Sequence, residues 1–412
     1  MKVSAGKKHI VFLVENGSVP NDMRVWKEAR VARDMGFDVT VVSPRGARVD
    51  RERHAMIEGI EVYRYPHVVL GGGFGSYFVE YLLALLMTAW IVIGISFRRR
   101  IDAFHVANPP DVFFLVTAPF KLFGTRYIFD VHDLFVNTFE SKYEHNKSPF
   151  KSLIVQVIHV VERINIACAD IVVVTNRSYH DYIQQRYHVP EERLFVVRNA
   201  PPLDSRLEIV ADSTLRRGRK YMMVFFGNMG EDDGVDVILR ACHHLVHTEG
   251  FSDFICYLIG PTEVASSPAI NSLRALHREL GIEGHVEFTG YLSWQDIHKY
   301  LNTADVALSP DTFTQQNNLS TMIKIMEYMS HGLPIVSFDL KENRYSAGEA
   351  AVYSNGYDWI DFAESVRQLL LNESQRKAMR EIGLNRYRSS FNWNPSAEVL
   401  RRVYGTLNED RR

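Results

Sequence analysis

A lysine and a glutamate lie three residues apart on the polar side of a short predicted helix between residues 318 and 331. Lys324 supplies a positive charge, and the carboxylate of Glu327 can accept two hydrogen bonds from a ribose diol. The opposite side is apolar at positions i, i+3, i+4 and i+7, which are Met322, Ile325, Met326 and Met329. An ordinary surface ion pair at i, i+3 is the alternative interpretation.

The start of this helix suits an anion. The helix follows a predicted buried strand, DVALSP, and parallel α/β sheets bind ligands at the carboxyl ends of their strands. We therefore expect Ser320 and Thr321, at the helix N-terminus, to face a cleft. Free N–H groups and the helix dipole there favour a diphosphate. The polar side of the helix thus predicts a nucleotide ligand.

The first half of the chain also places polar residues after predicted strands. They are Asp22, Arg24, His105, Asn108, His132 and Asp133. His132 follows the strand YIFDV, with Asp133 beside it as a candidate orienting group. A helix cap or a loop histidine is the alternative for His132. Asp22 and Arg24 either meet a phosphate or fix their loop, and His105 is a candidate for acceptor contact.

The elements that must position these residues alternate between strand and helix patterns along the 412 residues. This alternation predicts parallel, doubly wound sheets, so we expect an α/β fold with two Rossmann-like domains facing a central cleft. Paired prolines and charges between residues 201 and 220 predict a linker. We place the first domain at residues 1–203 and the second at residues 204–385.

Composition narrows the function classes. The formal net charge is −2, which argues against a large nucleic-acid footprint. Cys168, Cys242 and Cys256 lack metal-binding or disulfide-framework spacing and predict core thiols in a reducing compartment. The chain opens directly on a strand pattern, so we expect no signal peptide.

One segment, Tyr81 to Arg100, predicts contact with a membrane. Its apolar run from Leu82 to Phe97 has 16 residues, fewer than the roughly 20 that a spanning helix needs. A tryptophan in the run and three terminal arginines suit a helix that lies in the bilayer interface. A buried core helix is the alternative.

Several motifs, in order along nearly the whole chain, resemble the family-4 retaining glycosyltransferases of the GT-B fold. The closest piece is KIMEYMSHGLPIV, supported by YIFDVHDL, by FFGNMGEDDGVDVILRA and by VEFTGYLSWQDIHKYLNTADVALSPD. The segment from Ser320 to Tyr353 resembles a branch devoted to bacterial surface polysaccharides. The family also implies that residues 386–412 form a C-terminal helix that crosses back to the first domain.

The resemblance implies roles for individual residues. Glu327 matches the acidic residue that binds the ribose, and His132 matches a histidine that contacts the donor sugar. The remaining donor-binding candidates are Gly227, Asn228, Met229, Gly230, Tyr291, Leu292, Asn318, Leu319, Ser320, Thr321 and Lys324. Tyr291 is expected at the base through its ring, with a core tyrosine as the alternative.

Three departures from the family pattern concern the donor site. Leu319 stands eight positions before Glu327, where the family has a second acidic residue that touches the sugar. Asn228 and Asp233 stand where the family has an arginine and a lysine for the diphosphate. Val136 and Asn137 replace a Pro-Glu pair. Lys324 and the backbone N–H groups must therefore carry more of the anion binding.

The expected reaction moves a sugar from a nucleotide diphosphate sugar, UDP-linked by family frequency, to a lipid-linked glycan, with the anomeric configuration retained. His132, Lys324 and Glu327 are the catalytic candidates. We expect no cofactor and no metal ion, because no Asp-x-Asp motif lies in a suitable loop. The expected location is cytoplasmic, peripheral at the inner face of the plasma membrane. A sugar-nucleotide 2-epimerase and a non-catalytic nucleotide-sugar-binding protein are the alternatives.

Overall fold

The computed structural model describes residues 7–46, 49–68, 70, 74–142, 151–203, 208–261, 268–354 and 357–408. The chain forms two compact units. Unit 1 comprises Met1–Asn199 together with Ser396–Arg412, and unit 2 comprises Ala200–Pro395. The expected boundary between residues 203 and 204 adjoins residues 204–207, which lie outside the described residues.

Unit 1 is built on an eight-stranded sheet among the described residues, in the order β3-β4-β2-β1-β5-β6-β7-β8. Its strands are parallel except for the antiparallel pair β3–β4. The strands are β1 (His9–Leu13), β2 (Asp38–Pro44), β3 (His54–Ile57), β4 (Ile60–Tyr65), β5 (Ala103–Ala107), β6 (Arg126–Val131), β7 (Ile171–Val174) and β8 (Leu194–Val196). The helices are α1 (Met23–Asp34), α2 (Phe74–Ser96), α3 (Phe114–Lys121), α4 (Phe135–Lys142), α5 (Lys151–Cys168) and α6 (Arg177–Tyr187).

Unit 2 is built on a six-stranded parallel sheet among the described residues, in the order β11-β10-β9-β12-β13-β14. The strands are β9 (Tyr221–Phe226), β10 (Phe254–Ile259), β11 (Val286–Gly290), β12 (Val306–Ser309), β13 (Ile335–Phe338) and β14 (Ala351–Ser354). The helices are α7 (Val235–His247), α8 (Pro268–Glu279), α9 (Trp294–Thr303), α10 (Gln315–Leu319), α11 (Ile323–Ser330), α12 (Lys341–Ala347), α13 (Trp359–Leu371) and α14 (Glu373–Ser389).

The two parallel α/β sheets confirm the predicted fold class. Strand residues that are apolar and buried on both faces fill each core, as expected for parallel sheets covered by helices. A last helix, α15 (Trp393–Gly405), begins in unit 2 and continues into the C-terminal segment of unit 1. Unit 2 thus extends to Pro395, ten residues beyond the expected end at residue 385.

The predicted helix between residues 318 and 331 is in fact two helices. Helix α10 ends at Leu319, and α11 begins only at Ile323, with Met322 as its N-cap. Residues 324–330 are buried on every side, so Lys324 and Glu327 do not form a solvent-facing stripe. The apolar periodicity identified one packed side correctly, but it could not show that the polar side is enclosed too.

Candidate functional site

Helix α11 is fixed at the carboxyl edge of the unit 2 sheet by a buried tyrosine. The hydroxyl of Tyr328 accepts a hydrogen bond from the backbone N–H of Phe226 at 2.8 Å. The same hydroxyl donates to the carbonyl oxygen of Leu308 at 3.1 Å. Tyr328 therefore joins the ends of β9 and β12 to the helix, and this contact sets where Lys324 and Glu327 lie.

Lys324 is buried between two carboxylates. Its Nζ lies 2.6 Å from Oδ1 of Asp311 and 3.1 Å from Oδ1 of Asp233, and 4.7 Å from the centre of the Phe225 ring. Burial by itself lowers the pKa of Lys324, yet Asp311 and Asp233 outweigh it and hold that pKa above its usual range. Lys324 is thus a cation with two anionic partners, and the surface-pair interpretation with Glu327 is wrong.

Asp233 also closes the glycine loop that follows β9. Its Oδ2 accepts the backbone N–H of Gly230 at 2.9 Å, while its Oδ1 faces Lys324. One carboxylate therefore occupies a backbone N–H group and an ammonium group that were both expected to bind a diphosphate. Asp233 stands where the resemblance implies a cation, and it takes up positive charge instead of supplying it.

Other expected anion-binding N–H groups are also engaged. The N–H of Gly227 donates to the carbonyl oxygen of Ile259 at 3.0 Å, and the N–H of Ser320 donates to Gln316 at 2.9 Å. The expectation of free N–H groups at Ser320 was wrong because Ser320 ends α10 and does not begin α11. Thr321 is partly exposed beside it.

The glycine loop packs so closely that side chains are excluded at two positions. A Cβ atom on Gly260 would lie 2.0 Å from the carbonyl oxygen of Gly227, and one on Gly234 would lie 1.9 Å from that of Pro310. Gly234 also has φ of +68°, which favours glycine. Gly260 thus lets the loop approach the end of β10, and Gly234 lets it approach Pro310, next to Asp311.

The remaining donor-site candidates differ in exposure. Glu327 is 5% exposed. Asn228 is exposed, whereas the side chain of Met229 is buried in the core and can offer only its backbone to a ligand. Leu319 is half-buried, and Oδ1 of Asn318 accepts the N–H of Lys341 at 2.9 Å.

Tyr291 lies at the end of β11, and its ring is 70% exposed, so the core-tyrosine alternative is wrong. An exposed ring after a strand end can stack on a flat ligand. Leu292 is partly buried and packs against the core beside it.

In unit 1, Arg24 is buried and makes a two-point contact with Asp130 on β6. Its Nη2 and Nε lie 2.6 Å and 3.1 Å from the two carboxylate oxygens, and Nη1 donates to the carbonyl oxygen of Val197 at 2.8 Å. Asp22 caps α1 by accepting the N–H groups of Arg24 and Val25, each at 3.1 Å. Of the two interpretations for Asp22 and Arg24, the structure supports the one in which they fix the loop.

His132 is held by Asp130 rather than by the neighbouring Asp133. Its Nε2 lies 2.6 Å from Oδ2 of Asp130, and its side chain stays partly exposed. Since an ionised carboxylate only accepts, Nε2 carries the proton, and Nδ1 is left for another group. Burial alone would raise the pKa of Asp130, but Arg24 and His132 hold it well below its usual range.

Asn108 positions the loop that carries His132. Its Oδ1 accepts the N–H groups of His132 and Asp133 at 2.6 Å and 3.2 Å, and its Nδ2 donates to the carbonyl oxygen of Asp133. Asn108 is buried, so it supports this loop and has no surface for an acceptor. The pKa of Asp133 is raised by burial.

His105 lies inside the same cluster and is 1% exposed. Its Nδ1 is 2.9 Å from the hydroxyl of Tyr404 on α15, and its ring stacks on Phe12 at 4.7 Å. Burial lowers the pKa of His105, so the ring is neutral at pH 7. The expected acceptor contact of His105 was therefore wrong, because this histidine is enclosed by the fold.

Glu28 completes the cluster as a second buried carboxyl group beside Arg24. Its Oε1 lies 3.1 Å from Nε of Arg24, but neither of its oxygens makes a hydrogen bond within the described residues. Burial raises the pKa of Glu28 well above its usual range against the attraction of Arg24. One guanidinium thus lies beside two carboxyl groups whose pKa values are shifted in opposite directions.

Glu28, Asp130 and His132 also bring three potential metal-ligand atoms within 4.8 Å of one another. The guanidinium of Arg24 already lies between the two carboxyl groups and supplies the positive charge there. These residues therefore do not fit a metal centre. Sequence reasoning missed Glu28 in α1 and Asp130 in β6, which lie within regular elements and gave no motif signal.

Family models match a large part of each unit. Residues 23–200 match the family model "Glycosyl transferase 4-like domain", and residues 220–372 match "Glycosyl transferases group 1". A D-inositol 3-phosphate glycosyltransferase of Corynebacterium diphtheriae is 26% identical over 186 residues, which are 45% of this chain and 42% of that relative. The match thus spans less than half of that relative's length.

Solved structures show the same fold at low identity. Sucrose-phosphate synthase from Thermosynechococcus elongatus superposes with a TM-score of 0.77 at 14% identity, covering 97% of this chain and 99% of that one. HepE of Anabaena in complex with UDP-glucose gives a TM-score of 0.68 at 12% identity, covering 97% and 99%. These likenesses extend over both units.

The charge balance around Arg24 predicts unequal losses of stability from two isosteric changes. Asp130→Asn removes the ionised partner of a buried guanidinium and should cost about 3–5 kcal/mol of the free energy of unfolding. Glu28→Gln mimics the protonated form and should cost less than about 1 kcal/mol at pH 7. Urea unfolding of the full chain measures both, with Asp339→Asn in an exposed ion pair as the control.

The same pair has a signed pH dependence. The lowered pKa of Asp130 contributes stability above its unfolded pKa of about 3.8, which is lost as the pH falls towards the folded value. The raised pKa of Glu28 lowers the stability of the wild type as the pH rises above about 4.5. The free energy of unfolding of Glu28→Gln, relative to that of the wild type, should therefore increase over that range. Equal losses from the two variants at pH 7 would contradict this charge assignment.

Proposed function

Because this chain belongs to the group 1 glycosyltransferases of the GT-B fold, we propose that it is a retaining enzyme that transfers a sugar from a UDP-linked donor. The observation that carries the proposal is that α11, which follows β12, places the buried side chains of Lys324 and Glu327 on one short helix. It lies within the unit that matches the group 1 model. The UDP-glucose complex of HepE supports the choice of base.

In this proposal, Glu327 and Lys324 bind different parts of the donor. The carboxylate of Glu327 accepts hydrogen bonds from the ribose diol, and the exposed ring of Tyr291 stacks on the base. Lys324 faces the diphosphate. Since Asp233 now holds Lys324 and the N–H of Gly230, the incoming phosphate must take over both groups from that carboxylate.

The transition state gathers negative charge on the leaving diphosphate while the sugar becomes oxocarbenium-like. Stabilising that charge is the main electrostatic task, and Lys324 is the cation placed for it. His132 keeps Nδ1 for a ligand, because Asp130 holds its other nitrogen. The leaving phosphate takes the proton of the acceptor hydroxyl, so no separate protein base is required.

A non-catalytic nucleotide-sugar-binding protein is a second candidate, favoured by the neutralisation of Lys324 and by Leu319 at an acidic position. A 2-epimerase would convert the donor without an acceptor. Incubation with UDP-sugars and a bacterial lipid extract distinguishes these three candidate functions. Transfer to lipid supports the proposal, sugar interconversion supports the epimerase, and binding without turnover supports the third candidate.

Helix α2 supports an acceptor held at a membrane surface. Ala84, Thr88, Val92 and Ile95 bury one face of the helix along its length, where it packs on β2 and β4. The window Phe78–Ser96 has a mean hydropathy of 2.1 and is only 22% buried, so by length and composition it could cross a membrane. A helix with one face buried on its own sheet instead offers the other face to an interface.

The outward face of α2 is apolar and ends in a basic cluster. Leu82, Leu86, Trp90 and Ile93 are exposed along it, followed by Phe97 and the arginines from Arg98 to Arg100. We infer peripheral binding at the inner face of the plasma membrane, where anionic lipids attract the arginines. This position suits a lipid-linked glycan acceptor of surface polysaccharide synthesis.

Calorimetric titration with UDP, GDP, ADP and TDP in a chelator tests the donor site. We expect UDP to bind the wild type and Glu327→Ala to weaken it at least about tenfold, since a charged hydrogen bond contributes about 1.5–3 kcal/mol. Glu381→Ala, at an exposed position in the same unit, is the control. Failure of every nucleotide to bind the folded wild type would overturn the proposal.

The contact of Asp233 with Lys324 predicts that an amide there improves binding. Asp233→Asn removes the carboxylate that competes with the diphosphate, so UDP should bind severalfold more tightly while uridine binds unchanged. Glu231→Gln removes the same charge at an exposed position two residues away and serves as the control. An equal gain for uridine would show that Asp233 acts through the loop fold instead.

Vesicle sedimentation tests the role of α2. Vesicles containing phosphatidylglycerol should retain the wild type, and Trp90→Glu should weaken retention about tenfold or more, because it places a charge on the inserted face. Binding should fall as salt is raised. Val210→Glu, at a residue 82% exposed in unit 2, is the control. Equal retention of both variants would refute contact through this face.

A further inference from the structure

A pocket in unit 1 lies between α2 and the strand ends beside it. Its volume is about 590 Å³, within the usual range for small-molecule sites. Arg45, which follows β2, Arg53, which precedes β3, and Arg64 on β4 line one side. Leu86 and Trp90 of α2 line the other. The described wall therefore combines guanidinium groups with hydrocarbon.

Arg64 is a structural part of this wall. It is buried, and its guanidinium donates to the carbonyl oxygen of Val19 at 3.0 Å and 2.6 Å and to that of Glu52 at 3.1 Å. Asp50 lies 3.6 Å from it and balances its charge. Arg64 thus anchors the segment that carries the other two arginines, and its own guanidinium already has hydrogen-bond acceptors and a carboxylate partner.

Arg45 and Arg53 lack such compensation. Neither side chain makes an ion pair within the described part of the chain, and Nε of Arg45 is buried without a hydrogen-bond partner there. A buried donor without a partner costs about 1–3 kcal/mol, so its presence points to a ligand that supplies an acceptor. Arg45 and Arg53 both line the pocket, and guanidinium groups can pair with phosphate oxygens.

The apolar wall specifies what else the ligand carries. Leu86 and Trp90 are 58% and 80% exposed, and they continue into the outward face of α2. A free phosphate ion would gain nothing from this surface, whereas a hydrocarbon chain would bury apolar area against it. A phosphorylated headgroup joined to an apolar tail satisfies both walls at once.

We propose that this pocket binds the phosphate or diphosphate headgroup of a membrane lipid, with Arg45 and Arg53 on the headgroup and the hydrocarbon along α2. This inference rests on the membrane contact in the proposed function, but it does not depend on the donor site. The lipid is either a prenyl diphosphate carrier of the acceptor type or an anionic phospholipid of the bilayer. Both share the chemistry that the pocket recognises.

Calorimetry with soluble probes below their micelle concentrations tests the pocket. The probes are farnesyl diphosphate, dihexanoyl phosphatidylglycerol, inorganic pyrophosphate and farnesol, all in a chelator. At least one of the two phosphorylated lipids should bind the wild type at least tenfold more tightly than pyrophosphate or farnesol. The tighter of the two identifies the source of the headgroup.

Three variants locate the binding. Arg53→Gln, at an exposed residue, and the double variant with Arg45→Gln should weaken lipid binding about tenfold or more, and Met87→Gln on the apolar wall should weaken it too. Arg30→Gln, in an exposed ion pair with Glu58, is the matched control and should bind as the wild type does.

The outcomes separate this inference from the donor assignment. The arginine variants should still bind UDP, and Glu327→Ala should still bind the lipid probe. Lipid binding that is insensitive to both arginine variants overturns the pocket assignment. Pyrophosphate binding as tight as that of the lipids overturns the lipid part, because the apolar wall would then contribute nothing.

Discussion

The buried contact between Arg24 and Asp130 is the interaction on which the first unit depends. One guanidinium joins helix α1 to strand β6 and to the carbonyl oxygen of Val197. Because the site is buried, Arg24 favours the ionised form of Asp130, whereas burial raises the pKa of Glu28 beside it. The carboxylate of Asp130 in turn orients His132, which is partly exposed. The position of the His132 ring therefore depends on the buried ion pair between Arg24 and Asp130.

The second unit uses a similar arrangement for a different purpose. Lys324 is also a buried cation at the carboxyl edge of a parallel sheet, but it has two carboxylates, Asp311 and Asp233, within 3.1 Å. In unit 1, burial favours the neutral form of the second carboxyl group, Glu28. In unit 2, Asp233 lies at the edge of the glycine loop and is partly exposed, which allows an incoming anion to compete with it. Under the proposed function, the affinity for the donor would depend on competition between Asp233 and the incoming diphosphate for Lys324.

The surface of unit 1 beside α2 also consists mainly of charges that have partners. Most arginines of this region have partners, as Arg64 has Asp50 and Arg99 has Asp38 and Glu61. Against that background, two arginines without described partners beside an apolar helix face are informative. Membrane contact through α2 and headgroup binding at Arg45 and Arg53 would then be two parts of one surface, the first non-specific and the second selective.

The sequence by itself determined the α/β class, the two-unit organisation and the elements that carry Lys324, Glu327 and His132. Strand and helix periodicities are local, and glycines and prolines mark where elements end, so these features can be read without coordinates. The exposed apolar face of α2 was also foreseen from its run of hydrophobic residues. The sequence also showed that Asp233 stands where the family has a cation, but it did not show that Asp233 contacts Lys324.

Only the tertiary structure decided which charged groups meet. Arg24 and Asp130 are 106 residues apart, Lys324 and Asp233 are 91 apart, and His105 meets Tyr404 across 299. Burial is a property of the packed fold, and it made His105 inaccessible, although the local pattern placed that histidine at a ligand. A pKa, an ion pair and a pocket each depend on distances through space, which spacing along the chain does not encode.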